Sequence, residues 1–417
     1  MAGKAKRFSL EDIAALDAAD PLAPKRQEFA VPKWLIYLDG NSLGMMPLAV
    51  KDRVTTVLAE EWGNSLIRAW NSHRWMDLPE RVGAKIGTLI GAEENSVIVT
   101  DSTSINVAKA VSAGLSLNPD RRVILTDNSN FPTDIYMAQG VADVLGKDHT
   151  VKVVAPDDLY EALDDTVAVL MVTQVGYKTG LRQDMQKLTA CAHAAGAITV
   201  WDLCHSAGAF EVDLAGCHAD FAVGCTYKYL NGGPGSPAFI YVAPRHQDAI
   251  QPMLTGWIGH QTPFAFDLDY KPAEGIKRLN VGTPPVLALS ALDTALDVWD
   301  DVSMAAVREK SVALCELFIT EVEARCGGFG LDLASPRDAA LRGSQISFHC
   351  PEGYKVMRAL VDNSVVGDFR MPDVIRFGFT PLYVSYEDVF NAAKMLEKIL
   401  REGLWQNPQY DVKEKVT

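Results

Sequence analysis

The chain has 417 residues, 48% hydrophobic and 22% charged, a balance that fits a globular protein large enough for two domains and excludes a disordered one. Its formal net charge of −14 has the wrong sign for a nucleic-acid or anionic-membrane surface, because phosphates are neutralised by clustered Lys and Arg. One buried phosphate needs only a local cradle and stays allowed.

The N-terminal stretch MAGKAKRFSLEDIAALDAAD lacks the apolar core of a secretory signal, and no apolar run reaches membrane-spanning length. The seven cysteines are scattered without a CxxC spacing, which predicts free thiols in a reducing cytoplasm. No HExxH or paired Cys/His spacing occurs, so no metal site is expected. In chain order, apolar β-branched runs predict strands at 97–100, 123–126, 151–155, 167–173, 197–203, 221–226 and 239–242. The run at 167–173 is apolar throughout, which marks a strand buried on both faces. A helical spacing of Met185, Leu188, Cys191 and Ala192 places a helix at 183–195, before the next strand. This rhythm predicts an α/β fold with a mostly parallel seven-stranded sheet, right-handed crossovers and a ligand beyond the carboxyl ends of the strands.

After about residue 290 the pattern changes. A long helical pattern at 288–325 leads to short strands near 345–349 and 374–379, then to a closing helix at 386–400. Ser385 is placed to cap that helix, and Val389, Phe390, Ala393, Leu396 and Leu400 form its apolar stripe. The predicted organisation is a large domain over 51–288, a smaller α+β domain over 289–417, and an N-terminal segment, 1–50, packing with the smaller one.

The chemistry concentrates at two strand ends. Asp202 closes the run Ala197-Ile198-Thr199-Val200-Trp201, and Lys228 follows the run Phe221-Ala222-Val223-Gly224-Cys225-Thr226. An Asp and a Lys so placed on neighbouring strands suit pyridoxal 5'-phosphate (PLP): the lysine amine forms the Schiff base, and the carboxylate keeps the pyridine nitrogen protonated. Thr103 and Ser104 lie in a hydroxyl-rich turn between the strand SVIVT and a helix predicted at 107–115; it is either an ordinary N-cap or an anion site, and with Asp202 and Lys228 the reading favoured is a site for the cofactor phosphate. Phe131, in NFPTD, offers a flat apolar face to the ring, and Asp134 a polar reach to its edge. Arg376 sits inside an apolar strand pattern, where a guanidinium needs an anion. The partner is either an internal acid or a substrate α-carboxylate, and the bidentate fork favours the carboxylate. His205, three residues after Asp202, either contacts the cofactor or fills the loop. The GGPGS loop has neither nucleotide-cradle spacing.

With these pieces placed, the chain resembles the kynureninase family, PLP enzymes of the aspartate-aminotransferase fold in the class V aminotransferase group. The resemblance rests on YLDGNSLG (37–44), EEWGNSLIRAWN (60–71), TSIN (103–106), NFPTD (130–134), YKTG (177–180), WDLCHSAGA (201–209), GCTYKYLNGGPGS (224–236), GWIGH (256–260) and RFGFTPLY (376–383). It implies Lys228 as the Schiff-base lysine and Asp202 as the pyridine-nitrogen partner. Thr103, Ser104, Phe131, Pro132, Thr133, Asp134, Thr173, His205 and Tyr227 would line the cofactor. Trp257 and Thr283 would reach it from the partner subunit of a homodimer, with active sites at the subunit interface. Trp70, Gly282, Thr283 and Arg376 are the implied substrate contacts. VGTPP (281–285) matches the bacterial form, whereas Gln174 and Gly176 depart from the family pattern. The implied reaction is hydrolysis of the Cβ–Cγ bond of L-kynurenine, or its 3-hydroxy form, in tryptophan degradation. Tyr227, acidified by neighbouring positive charge, is the expected proton donor to the β-carbon. The rivals are a cysteine desulfurase, with Cys350 as nucleophile, an aminotransferase, and a binding module without turnover.

Overall fold

The computed structural model describes residues 7–146 and 148–414, which form two compact units. One unit takes the N-terminal segment through Leu48, the short stretch Lys178–Arg182 and the chain from Val298 onward. The other comprises Ala49–Tyr177 and Gln183–Asp297.

The second unit is built on seven strands: β1 (Val97–Val99), β2 (Val123–Asp127), β3 (Thr150–Val154), β4 (Val167–Thr173), β5 (Ile198–Asp202), β6 (Phe221–Gly224) and β7 (Phe239–Val242). Their order across the sheet is β1-β7-β6-β5-β4-β2-β3. β7 runs antiparallel to both of its neighbours, and every other pairing is parallel. All seven residues of β4 are buried, the result of burial on both faces of a central strand. Helices packed on this sheet include α1 (Thr103–Leu117), α2 (Pro132–Leu145) and α3 (Met185–Ala194). α1 lies on β4, β5 and β6 and is buried continuously from Asn106 to Leu115. Gly114 permits that approach, since a Cβ there would come within 2.9 Å of Val169 Cγ2.

α1 begins four residues earlier than its apolar pattern. Ser102 is extended (φ −102°, ψ 164°) and its side chain accepts from the Ile105 N–H at 3.5 Å, so Thr103 and Ser104 form the first turn. Likewise β6 ends at Gly224, two residues before the apolar run does. Thr226 beyond it gives its hydroxyl to Pro237 O at 2.7 Å, and its carbonyl accepts from the Gly232 N–H at 2.9 Å. Those bonds turn the chain into the loop that carries Lys228.

The first unit contains an antiparallel sheet of β8 (Asp332–Leu333), β9 (Gln345–His349), β10 (Asp368–Arg370) and β11 (Val374–Gly378), in the order β10-β11-β9-β8. The helical pattern expected to run unbroken through 288–325 is interrupted. α4 (Val286–Ala295) passes into a 3-10 turn at Leu296–Trp299, and α5 (Met304–Cys326) starts afresh with Ser303 accepting from the Ala306 N–H. The division between the two units falls within this break. α6 (Gly353–Asp362) follows, and α7 (Tyr386–Glu402) packs against α5. The Ser385–Asp388 capping box starts α7, and both Asp17 carboxylate oxygens accept from the next N–H groups, Tyr386 at 2.8 Å and Glu387 at 3.0 Å. Among the described residues, no helix is long and apolar enough to cross a membrane.

Candidate active site

Asp202 ends β5 and Thr173 ends β4, directly opposite one another in the parallel register. Both are buried. One Asp202 oxygen, Oδ1, accepts from the Cys204 N–H at 2.8 Å, which fixes the carboxylate as the chain leaves the sheet. His205 follows on the same loop, and its Nε2 lies 3.0 Å from Lys228 Nζ. The Lys228 amine also stands over the Tyr227 ring, 5.9 Å from its centroid.

These groups share one cleft with Thr103, Ser104, Phe131, Thr133, Asp134, Tyr177 and Cys204. Thr103 and Ser104 bring the positive end of a 15-residue helix and two hydroxyls to its wall. Phe131 caps α2, with Pro132 in the first helical position outside the lining, and its ring meets Tyr177 edge-on at 5.2 Å. The Asp134 side chain is buried, and its Oδ2 has no hydrogen-bond partner. Burial first, then the charge of Asp202, pushes the Asp134 carboxyl well above the usual carboxylate range, against the pull of Lys228.

A reactive amine, a buried carboxylate, an orphaned polar atom, an anion-binding helix end and a flat aromatic ring thus converge. That donor set fits a phosphorylated pyridine aldehyde.

Tyr227 departs from expectation in one respect. Its phenol is pushed above the ordinary tyrosine range, mainly by the charge of the Cys225 sulfur and then by burial, rather than acidified. It therefore keeps its proton, which a donor requires.

Gly282 and Thr283 lie outside this cleft and line an adjoining one with Thr103, Ser104 and Tyr227 of the same chain. Trp257 and Trp70 line neither: Trp257 is edge-on to Phe264 at 5.7 Å, and Trp70 to Trp75 at 5.5 Å. In the other unit, Arg376 is buried on β11 opposite Asp368 of β10. Its Nε donates to Asp368 Oδ1 at 2.8 Å, and its Nη2 donates to Asp368 Oδ2 and, at 2.9 Å, to Ser42 Oγ. The internal ion pair weighed against a substrate carboxylate is therefore present.

A kynureninase of Pseudomonas fluorescens is 51% identical over 411 residues, covering 97% of this chain and 99% of its own. One from Deinococcus radiodurans is 52% identical over 400 residues, 95% of this chain and 97% of its own.

The chain belongs to the kynureninase family.

A family model, the kynureninase C-terminal domain, matches residues 307–396, a span that contains Arg376 and its partner Asp368. Solved structures share the fold at lower identity. An apo cysteine desulfurase from Thermococcus onnurineus NA1 superposes with TM-score 0.77 at 19% identity, covering 95% of this chain and 100% of its own. A C-DES variant with glycine covalently linked to its PLP cofactor gives 0.77 at 16% identity, covering 89% and 98%. In this kynureninase-family chain Cys350 is buried just after β9, and burial pushes its thiol up to about 11. A thiol so held is a poor nucleophile. Two cleft residues went unmarked in the sequence. Cys204 follows Asp202 by two, on the same turn, and Tyr177 opens the YKTG segment after β4; the signal in each case was proximity to a strand end.

Proposed function

We propose that the chain hydrolyses the Cβ–Cγ bond of L-kynurenine, or of its 3-hydroxy form, to anthranilate (or 3-hydroxyanthranilate) and L-alanine, with PLP held in the Lys228 cleft. The observation that carries this reading is the meeting of Lys228, Asp202 and the Thr103–Ser104 helix end in one cleft of a kynureninase-family chain. When bound, PLP supplies an electron sink for the charge left at the substrate α-carbon.

The chain's own groups do the rest. Thr103 and Ser104 would hold the phosphate, Phe131, Thr133 and Asp134 would line the ring with Thr173 and His205, and Asp202 would keep a proton on the ring nitrogen. Lys228 Nζ would anchor the cofactor and is the base that would remove the substrate α-proton. His205 Nε2, 3.0 Å away, orients that amine. Water adds to the γ-carbonyl carbon, the Cβ–Cγ bond breaks with that carbon leaving as the carboxyl of anthranilate, and the Tyr227 hydroxyl would deliver a proton to the β-carbon. Gly282 and Thr283, which line the adjoining cleft, would meet the aryl ketone; the roles of Trp70 and Arg376 as substrate contacts rest on the family resemblance alone. A homodimer whose partner supplies Trp257 and Thr283 completes the site.

The test is to mix PLP-loaded protein with L-kynurenine and follow anthranilate fluorescence. Growth of that signal with equimolar alanine supports the reading. No signal, together with sulfide released from L-cysteine, would replace it with the desulfurase one.

A further inference from the structure

Lys109 is a buried ammonium that the chemistry above does not use. It lies on the sheet-facing helix α1, its side chain 1% exposed, and burial lowers its pKa against the pull of Asp101. Such a charge is tolerated only where its partners are fixed. It has two. The amine donates to the Asp101 carboxylate and, at 2.7 Å, to the Leu279 carbonyl.

Those partners stand beside two separate pieces of the site. Asp101 is two residues before Thr103, at the left-handed φ of +51° that a non-glycine residue holds only under constraint. Thr100 Oγ1 donates to the same carboxylate at 3.1 Å, and the Ala238 N–H donates to the Asp101 carbonyl at 2.9 Å. Leu279 is three residues before Gly282, and the Asn280–Val281 backbone after it is in close contact with Gly256 and Gly259, which flank Trp257. Asp101, Thr103, Ser104, Gly282 and Thr283 line one cleft.

We propose that Lys109 is a positioning residue: its single charge ties the anion-binding turn to the loop bearing Gly282 and Thr283, and so sets where that loop meets substrate. This rests on the reading of Thr283 as a substrate contact, and it holds whichever protomer's site the loop completes.

The test uses holoenzyme carrying Lys109→Met, Thr283→Ala, or both. Backbone hydrogen exchange over 279–285 is measured beside kcat and KM for L-kynurenine. Lys109→Met should speed exchange of that segment and raise KM by about tenfold, with kcat changed less than about threefold. In the Thr283→Ala background it should alter KM less than about twofold, because coupled residues are non-additive. Unchanged exchange, or independent multiplication of the two KM effects, overturns the proposal. Thr283→Ala without effect on KM overturns the substrate-contact reading instead, and the exchange result still decides the tie. If Lys109→Met does not fold, Asp101→Asn is put through the same measurements. Faster exchange at 279–285 supports the tie, and unchanged exchange refutes it.

Discussion

Two groups in the cleft hold a proton more tightly than usual. Burial, then Asp202, raises the Asp134 carboxyl, and the charge of the Cys225 sulfur, then burial, raises the Tyr227 phenol. A phenol that resists ionisation is a poor base but arrives at the β-carbon with its proton in place. Replacing Tyr227 with Phe should therefore slow anthranilate release by about a hundredfold or more, while exchange of the α-proton with solvent changes less than about threefold. Single-turnover fluorescence and loss of α-deuterium measure the two rates. An equal fall in both would remove Tyr227 from this step. The Arg376 pairing shows what one residue's context hides: Asp368 lies eight positions upstream, and only the antiparallel register of β10 with β11 brings the two together. In the sequence, Arg376 was legible as a charge that needs an anion, but not which anion it meets.

At the scale of elements, helix α1 does two jobs, filling the core over β4 to β6 and presenting its first turn to the cleft. Its fit depends on Gly114, where an added Cβ would also lie 3.4 Å from Ile198 Cγ2. Gly114→Leu should overpack this contact and destabilise the fold by about 1–3 kcal/mol in urea unfolding, despite leucine's better helix propensity. A neutral or stabilising result would mean the helix can lift off the sheet without loss. The strands were legible because burial on both faces writes a continuous apolar run, as in β4. Helix ends were less so. Thr103 and Ser104 are weak helix formers, and their role appears only when Ser102 takes the cap. The interruption between α4 and α5 is hidden in the sequence because a 3-10 turn, Leu296–Trp299, keeps apolar residues coming at nearly helical spacing.

For the molecule as a whole, stability should carry the mark of a second carboxyl that keeps its proton, Asp39 in the first unit. Burial, then the Asp368 charge, pushes it up to about 8, against Arg376 and Arg370. The folded chain thus binds this proton more tightly than the unfolded chain, whose Asp ionises near pH ~3.9. Its contribution is intact at low pH, declines as pH rises, and is fully lost above about 8. Asp39→Asn should raise the thermal midpoint at pH ~9 more than at pH ~5; parallel curves for the variant and the parent would show that Asp39 ionises freely in the fold.

The larger design, an α/β sheet with a cleft at the carboxyl ends of β4 and β5 and just past β6, was readable because the rules that place such a cleft are general. The proposed completion of the site by a second subunit is of another kind, since one chain's pattern does not encode which surfaces meet.

The most direct measurement is to reduce the PLP-loaded protein with borohydride, digest it and locate the pyridoxyl group by mass spectrometry. The adduct should fall on Lys228 alone and disappear in Lys228→Ala. An adduct on another lysine, or an unchanged visible spectrum in the variant, would contradict the assignment on which the whole site depends.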